Sequence, residues 1–385
     1  MRSMATILHL TTVHPRTDVR IVGKEANTLA SHLPHKVTLM VADGKGSVDD
    51  EFGGVSVHDL GCPRGGRLGR MLVGPWRAFR TISRVKPAVV HFHDPELIPL
   101  GTLLKGMGYT VIYDVHEDVP QQTISKHWIP KIMRYPVMIA ISALERASAR
   151  SLDAVIPATP KIAERFPADK TVVVQNFPIC TELARLNSTP YGQRSPRFAY
   201  IGGIAEIRGA VEMILALEQL KDIDGIRLDL AGEYSPSNFE GALRALPGWV
   251  AVRYHGHVSR AGVAGILGEV RAGLVVLHPT GNYVDSYPVK MFEYMSSSLP
   301  VIASDFPLWR QIIDGAGCGL LVDPMNPKAI ADAMRWILEH PEEAETMGNR
   351  GRLAVERMYN WDAEAVKMIR LYEKLLSKDN KANKT

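Results

Sequence analysis

The chain has 385 residues, 46% of them hydrophobic and 22% charged, with a formal net charge of +4. This is an ordinary globular composition at a length suited to two domains, and no apolar run approaches the roughly 18 residues needed to span a bilayer. Three widely spaced cysteines argue against a disulfide scaffold, and the first residues lack a signal-peptide cleavage site. These features predict a cytoplasmic protein, and the modest net charge argues against nucleic-acid binding.

Short apolar runs alternate with helical patterns along the first half. The predicted strands are 5–10, 36–41, 88–92, 110–115, 154–157 and 171–174. Helical patterns lie between them, for example at 19–33 and 95–107. Near-continuous apolar strands separated by helices indicate a parallel sheet that is covered on both faces.

The loop after the first strand is rich in charged residues. It carries Arg16, Asp18 and Arg20, and Asp18 is positioned to cap the helix that follows. We expect this loop to act as a lid over a bound ligand. The alternative is a capped helix start that faces solvent.

Two basic stretches interleave with apolar residues, one between Arg64 and Lys86 and the other between Lys126 and Arg150. Both are candidates for amphipathic helices that lie on an anionic bilayer, as a peripheral contact at the inner face of the membrane. Solvated helix faces are the alternative interpretation of each stretch.

Histidines follow two of the predicted strands. His116 comes directly after strand 110–115, at the carboxyl end where a parallel sheet places its chemistry. His91 lies near the end of strand 88–92 and His93 directly follows that strand, which raises the question of a metal site. They share one strand face, whereas metal sites need converging ligands and second-shell support, so we expect no metal.

The alternation pauses at 176–196, a stretch rich in Pro, Asn, Ser and Thr that we interpret as a linker. It then resumes with predicted strands at 197–201, 226–231, 251–255, 273–277, 300–304 and 319–322. Predicted helices at 341–358 and 361–376 precede a Lys/Asn tail that we expect to be disordered. The fold class is therefore α/β, with two Rossmann-like doubly wound domains facing across a cleft. The first domain is predicted at 1–180 and the second at 196–358. A C-terminal helix near 360–377 is expected to return to the first domain.

The segment between Asp285 and Glu293 is the most informative in the second half. Pro288 suits the first position of a helix, with Asp285 or Ser286 as its cap. The amides of the next two residues, Val289 and Lys290, would then point at a phosphate. Glu293 lies about one turn further on, and its carboxylate can accept both vicinal hydroxyls of a ribose. The alternative is a capped helix with one exposed acid.

A glycine turn follows strand 197–201. Gly202 and Gly203 allow a ligand to approach the backbone, and Arg208 offers a fixed positive charge to a diphosphate. The spacing is not that of a dinucleotide fingerprint. Arg208 as an ordinary charge on a helix surface is the alternative.

Asp285 and Glu293, with seven residues between them and Pro-Val-Ile-Ala-Ser at 300–304, resemble the signature of family 4 retaining glycosyltransferases, which have the GT-B fold. The resemblance implies that Glu293 holds the donor ribose and that Asp285 lies near the transferred sugar. It also implies that the backbone after Pro288 contacts the sugar or diphosphate. Tyr287 and Pro288 stand where Phe-Gly is common, which changes the sugar that fits.

The same resemblance assigns the other donor contacts. Arg208 matches the second member of the family's basic pair, whereas Gly203 stands in place of the first, so Lys290 is expected to compensate. The loop at His257 and Val258 would meet the base. His116 would pack near the donor sugar. Many members carry a Gly-Gly pair in the first loop, whereas this chain has Arg16, Asp18 and Arg20, which we expect to form a lid that contacts the donor phosphate or the acceptor.

We predict a hexosyltransferase-type enzyme that needs no metal, because basic residues and a helix terminus can replace a metal at the diphosphate. It would move a sugar from a nucleotide diphosphate-sugar, UDP-sugar first among the candidates, to a glycan or lipid-linked acceptor in cell-surface polysaccharide synthesis. No cofactor is expected, because the nucleotide-sugar is a substrate. Two alternatives are a nucleotide-sugar epimerase of the same architecture and a non-catalytic nucleotide-sugar binding protein.

Overall fold

The computed structural model describes residues 5–50, 52–62, 66–125, 129–183 and 189–382. The chain separates into two compact units. Met1–Asn176 together with Asp362–Thr385 forms the first unit, and Phe177–Trp361 forms the second. The boundary falls at the start of the stretch that the sequence indicates as a linker, and the C-terminal segment belongs to the first unit.

The first unit contains a six-stranded sheet in the order β3-β2-β1-β4-β5-β6. All of its strand pairs are parallel. The strands are β1 (Thr6–Leu10), β2 (Lys36–Val41), β3 (Val55–Asp59), β4 (Val89–Phe92), β5 (Thr110–Val115) and β6 (Ala154–Pro157). Strands β4, β5 and β6 are buried along their whole length, as the unbroken apolar runs in the sequence predict.

Helices flank this sheet. They are α1 (Asn27–His32), α2 (Gly66–Val85), α3 (Ile98–Gly106), α4 (Val119–Ser125), α5 (Lys131–Ser151) and α6 (Pro160–Ala163). The single helix predicted at 19–33 is instead a π-helix, Ile21–Ala26, that continues into α1. Asp18 caps this helix start as expected, since its Oδ1 accepts the N–H groups of Arg20 and Ile21.

Two strand predictions in the first half are wrong. The edge strand β3 was missed because its sequence, VSVHD, is short and ends in polar residues. The strand predicted at 171–174 is an extended segment beside β6, with only Thr171 forming an isolated bridge. The amides of Val172 and Val174 donate to β6, but the segment does not form a full ladder.

The second unit repeats the architecture with a parallel sheet in the order β12-β11-β10-β7-β8-β9. Its strands are β7 (Arg197–Ile201), β8 (Arg227–Ala231), β9 (Val252–Gly256), β10 (Ala272–Val275), β11 (Val301–Ser304) and β12 (Gly319–Val322). Each lies within a residue or two of its predicted position. Two such doubly wound sheets confirm the predicted α/β class.

The remaining helices are α7 (Ala210–Glu218), α8 (Phe239–Arg244), α9 (Arg260–Leu267), α10 (Gly281–Val284), α11 (Val289–Ser296), α12 (Pro307–Ala316), α13 (Pro327–Glu339), α14 (Pro341–Met358) and α15 (Trp361–Ala382). Helix α15 continues to Ala382, so the expectation of a disordered tail is wrong up to that residue. Helix α11 packs directly on β10, where a Cβ at Gly273 would lie 2.1 Å from the Tyr294 ring. This close approach fixes α11, and the side chains it carries, against the sheet.

Candidate active site

In the second unit, a glycine turn lies against two cationic side chains. A Cβ added to Gly202 would lie 3.0 Å from Lys290 Nζ, and one added to Gly203 would lie 3.0 Å from Arg208 Nη1. The turn and the start of α11 follow β7 and β10, which are neighbours in the sheet. The structure therefore brings four of the predicted donor residues together at the carboxyl edge of this sheet.

The side chain of Lys290 turns inward. Its Nζ lies 3.6 Å from the centre of the Tyr200 ring and, among the described residues, is a buried atom without a hydrogen-bond partner. Burial, reinforced by the nearby charge of Arg208, holds the pKa of Lys290 well below its ordinary value. The charge of Glu293 offsets only part of this effect, so an ammonium at this buried position is costly and the site is suited to receive a further negative charge.

The other cation, Arg208, is held in place by its neighbours. Its Nε donates to Tyr283 Oη at 3.2 Å, and its Nη1 lies 3.4 Å from the carbonyl oxygen of Gly203. Gly209, with φ of 74°, follows directly, and a Cβ there would lie 2.0 Å from the carbonyl oxygen of Val276. Glycine is thus required at this position, and it fixes the direction in which the chain leaves Arg208 to enter α7.

The start of α11 differs from the prediction in one respect. Pro288 is the N-cap residue rather than the first helical residue, and no side chain caps the helix. Ser286 Oγ donates instead to the carbonyl oxygen of Tyr283, and Asp285 is exposed at the end of α10. The first N–H groups of α11, beginning at Val289, are thereby left without a side-chain cap, at the positive end of the helix dipole.

Glu293 lies one turn further along α11 and is only 7% exposed. Its Oε1 accepts a hydrogen bond of 2.7 Å from Arg260 Nη1. Arg260 also donates to both carboxylate oxygens of Glu182, each at 2.8 Å. Since a carboxylate has about four acceptor positions, the bond to Arg260 orients Glu293 and leaves room for two hydroxyl donors.

The sequence prediction overlooked Arg260 and Glu182. The signal for Arg260 was its position at the first residue of α9, directly after the loop that carries His257 and Val258. In that loop His257 is exposed and Val258 is half-buried. The Tyr287 ring, also predicted as a donor contact, packs against Phe292 with ring centroids 6.3 Å apart.

In the first unit, His116 follows β5 as predicted and belongs to a buried polar network. Asp114 Oδ2 accepts hydrogen bonds from His116 Nε2 and from His93 Nδ1, the latter at 3.0 Å. Arg20 donates to both oxygens of Asp114, at 3.2 and 2.8 Å. An acid within an otherwise apolar strand was the overlooked signal for Asp114.

The structure does not support the prediction that Arg16 and Arg20 belong to a lid that contacts a ligand. Arg20 is 4% exposed and, beyond its bonds to Asp114, donates to the carbonyl oxygen of Val174 at 2.9 Å. Arg16 is also buried and pairs with both carboxylate oxygens of Asp43, at 2.7 and 2.8 Å. Both guanidinium groups are therefore engaged within the first unit, whereas Asp18 remains half-buried.

His14 is a second overlooked residue in the same loop. It lies 3.3 Å from Asp18 and 3.6 Å from Asp94, and its ring centroid is 5.0 Å from that of His116. Burial opposes its protonation, but the hydrogen bond to Asp18 and the charge of Asp94 raise the pKa of His14 overall. A cationic imidazole is thus favoured next to His116.

Replacing Asp114 with alanine is expected to lower the free energy of unfolding by about 3–5 kcal/mol, because the buried Arg20 loses the carboxylate that accepts two of its hydrogen bonds and keeps only its ion pair with Glu25. Urea denaturation measures this loss. The matched control is Asp118→Ala, which breaks the more exposed ion pair with Arg165 and should cost less than about 1 kcal/mol. Equal losses for the two variants would contradict this account of Asp114.

Comparisons with known proteins identify the fold. Among solved structures, sucrose-phosphate synthase from Thermosynechococcus elongatus covers 97% of this chain and 100% of its own, with a TM-score of 0.73 at 17% identity. HepE of Anabaena, in complex with UDP-glucose, covers 96% of this chain and 100% of its own, with a TM-score of 0.71 at 11% identity. The chain is therefore a two-domain α/β protein of the GT-B fold.

Two family models match successive parts of the chain: "Glycosyl transferase 4-like domain" over residues 21–176 and "Glycosyl transferases group 1" over 187–354. The chain belongs to the family 4-like glycosyltransferases. A phosphatidyl-myo-inositol mannosyltransferase of Mycobacterium leprae is 28% identical over 204 residues, which is 51% of this chain and 52% of the relative. The chain thus matches about half the length of that curated relative.

Proposed function

We propose that this protein is a retaining glycosyltransferase that moves a sugar from a nucleotide diphosphate-sugar to a hydroxyl of a glycan or lipid-linked acceptor. The observation that carries the proposal is the pair of cations, Lys290 and Arg208, lying against Gly202 and Gly203 with Glu293 one turn away. UDP-sugar is the first candidate donor. Family membership and the UDP-glucose complex of HepE support this choice.

The donor would be held through its nucleotide and its diphosphate. Lys290 and Arg208 bind the diphosphate with charge-assisted hydrogen bonds, and the uncapped start of α11 adds its N–H groups. Glu293, oriented by Arg260, accepts the ribose hydroxyls. The two fixed cations stabilise the departing diphosphate, which is why we propose transfer without a metal at this position.

His116 is the proposed positioning residue for the transferred sugar, with Asp285 a second candidate near that sugar. Asp114 holds the imidazole of His116 through a hydrogen bond and thereby limits its rotation. The acceptor hydroxyl attacks from the face that the diphosphate leaves, so the anomeric configuration is retained. A role in cell-surface polysaccharide synthesis would follow from a glycan or lipid-linked acceptor.

The test is a screen of UDP-, GDP- and ADP-sugars for thermal stabilisation, followed by NMR of the mixture with and without candidate acceptors. A bound donor raises the melting temperature by mass action. We expect one nucleotide class to stabilise the protein, with nucleotide release that depends on the acceptor. No stabilisation by any nucleotide-sugar would contradict the proposal, and an epimerised sugar in the absence of acceptor would favour an epimerase.

We further propose that the first unit contacts anionic membranes through α5 and α2. Ile132 is 85% exposed on α5, and Tyr135 and Ile139 lie on the same face at helical spacing. On α2, Leu72 and Trp76 are also exposed. Exposed basic residues flank these apolar side chains, as in helices that lie at a bilayer surface: Lys131, Arg146 and Arg150 on α5 and Arg84 on α2.

Parts of both basic stretches, including Arg64 and Lys126, lie outside the described residues. No helix in the described ranges is long and apolar enough to cross a bilayer. The proposal therefore concerns binding at the surface only.

The double substitution Ile132→Glu and Ile139→Glu is expected to reduce co-sedimentation with anionic phospholipid vesicles by at least about tenfold, because it removes buried apolar area and adds repulsion. Vesicle binding at several lipid concentrations measures the change. The control is Val250→Glu, which alters an equally exposed residue in the second unit. Unchanged binding of the double variant would contradict this docking surface.

A further inference from the structure

Three histidines and a glutamate converge in the interior of the first unit. His9 on β1 is paired with His91 on β4, and His93 comes directly after β4. Glu25 reaches them from the π-helix after β1. All four residues are at most 2% exposed, and one potential ligand atom from each lies within 4.8 Å of the others.

Several polar atoms of this cluster are unsatisfied. His9 Nε2, His91 Nε2 and both carboxylate oxygens of Glu25 are buried and have no hydrogen-bond partner among the described residues. Glu25 Oε1 lies 3.0 Å from Arg20 Nε as an ion pair. Leaving a buried polar atom without a partner is costly, so His9 Nε2, His91 Nε2 and Glu25 Oε2, which lie close together, call for an occupant.

The opposite nitrogen atoms of two rings are already fixed. His91 Nδ1 hydrogen-bonds to Tyr372 Oη at 2.8 Å, and His93 Nδ1 to Asp114 at 3.0 Å. His9 Nδ1 forms a hydrogen bond of 3.0 Å with His93 Nε2, and a metal bound to His93 through that nitrogen would replace this bond. Metal-binding histidines are commonly oriented in this way, with the second ring nitrogen held by a hydroxyl, carboxylate or carbonyl group.

We infer that His9, Glu25, His91 and His93 bind a divalent transition metal, with Zn²⁺ the best match. Three imidazoles and one carboxylate form an N₃O donor set that suits tetrahedral zinc.

This metal would be structural rather than a participant at the diphosphate. It would join β1, β4 and the π-helix, and His93 connects it to Asp114, which holds His116. The expectation of no metal did not consider His9 and Glu25, which come from other elements and converge with His91 and His93 in the structure. Buried water molecules bridging the same atoms are the competing occupant.

The experiment measures metal in the full chain, expressed without a histidine tag in zinc-supplemented medium. We expect about one zinc per chain by elemental analysis. Glu25→Gln and His91→Asn should each reduce that content at least fivefold. The control, His255→Asn, alters a histidine of the second unit that bonds to Asp229 and should leave the zinc content unchanged.

Two results would overturn the inference. One is wild-type protein with negligible metal and no rise in melting temperature on adding zinc, which would leave water as the occupant. The other is zinc retained at wild-type levels by both cluster variants. If neither variant folds, X-ray absorption of the wild-type zinc protein decides: imidazole and oxygen ligation supports the site, and sulfur ligation excludes it. None of these readouts depends on glycosyl transfer.

Discussion

Glu293→Ala is expected to weaken UDP binding and to lower kcat/KM by about 10- to 100-fold. Hydrogen bonds to a charged group contribute about 1.5–3 kcal/mol, and about 1.4 kcal/mol corresponds to a factor of ten. Glu293 is buried and already oriented by Arg260, so little ordering is needed when the ribose binds. Isothermal titration calorimetry with UDP and steady-state kinetics measure the two quantities.

A comparison of two ligands, with and without the ribose 2′-hydroxyl, gives a sharper control. Wild-type protein should prefer UDP over 2′-deoxy-UDP, and Glu293→Ala should lose that preference while still binding both weakly. Glu182→Ala removes the other partner of Arg260 without touching the ribose carboxylate, and its affinity for UDP should stay within about threefold of wild type. If Glu182→Ala matched Glu293→Ala in affinity and ribose preference, Glu293 would act only as an ion-pair partner of Arg260.

Lys290→Met is expected to lower the affinity for UDP without lowering the free energy of unfolding. Losing a cation at the diphosphate should weaken UDP binding by about 10- to 100-fold. The same change removes a buried ammonium that has no hydrogen-bond partner among the described residues, so the free energy of unfolding without ligand should rise or stay level. Calorimetry and urea denaturation measure the two effects. The control, Lys328→Met, alters an exposed lysine paired with Asp332 and should change neither strongly.

The lowered pKa of Lys290 also predicts a pH dependence. The unfolded chain holds the lysine proton up to a pKa near about 10.4, whereas the folded protein loses it at lower pH, so this group makes unfolding less favourable as pH rises across that window. A bound diphosphate restores the charge. UDP binding should therefore take up a proton, and the affinity should fall as pH rises through the window.

Calorimetry in two buffers of different ionisation enthalpy, at a pH where the phosphate is fully ionised, detects this uptake. Lys290→Met should abolish it. Equal proton uptake by wild type and by the variant would exclude Lys290 as the titrating group.

The stability prediction has its own test. If Lys290→Met lowered both the affinity for UDP and the free energy of unfolding, the account of Lys290 as a costly buried ammonium would be contradicted.

Much of the proposed donor site in the second unit could be predicted from local sequence. The apolar runs predict β7 and β10, and the carboxyl ends of parallel strands share one edge of a sheet. The three-residue spacing of Lys290 and Glu293 places both on one side of α11 by helical geometry. Only packing decided that Lys290 turns inward over Tyr200 and that Arg260 binds Glu293, since these contacts depend on residues far apart in the chain.

In the first unit, the sequence predicts the sheet but few of the contacts between polar side chains. Composition and hydrophobic periodicity predict the parallel sheet and place His116 after β5, because burial on both faces requires continuous apolar strands. Arg20 was expected in a lid and is instead buried against Asp114, 94 residues further along the chain. His9, Glu25, His91 and His93 likewise meet only when β1 and β4 pair and the π-helix returns over them. Periodicity reports which face of an element is buried, whereas the partner of a buried polar group depends on which strands become neighbours, and only the tertiary structure decides that.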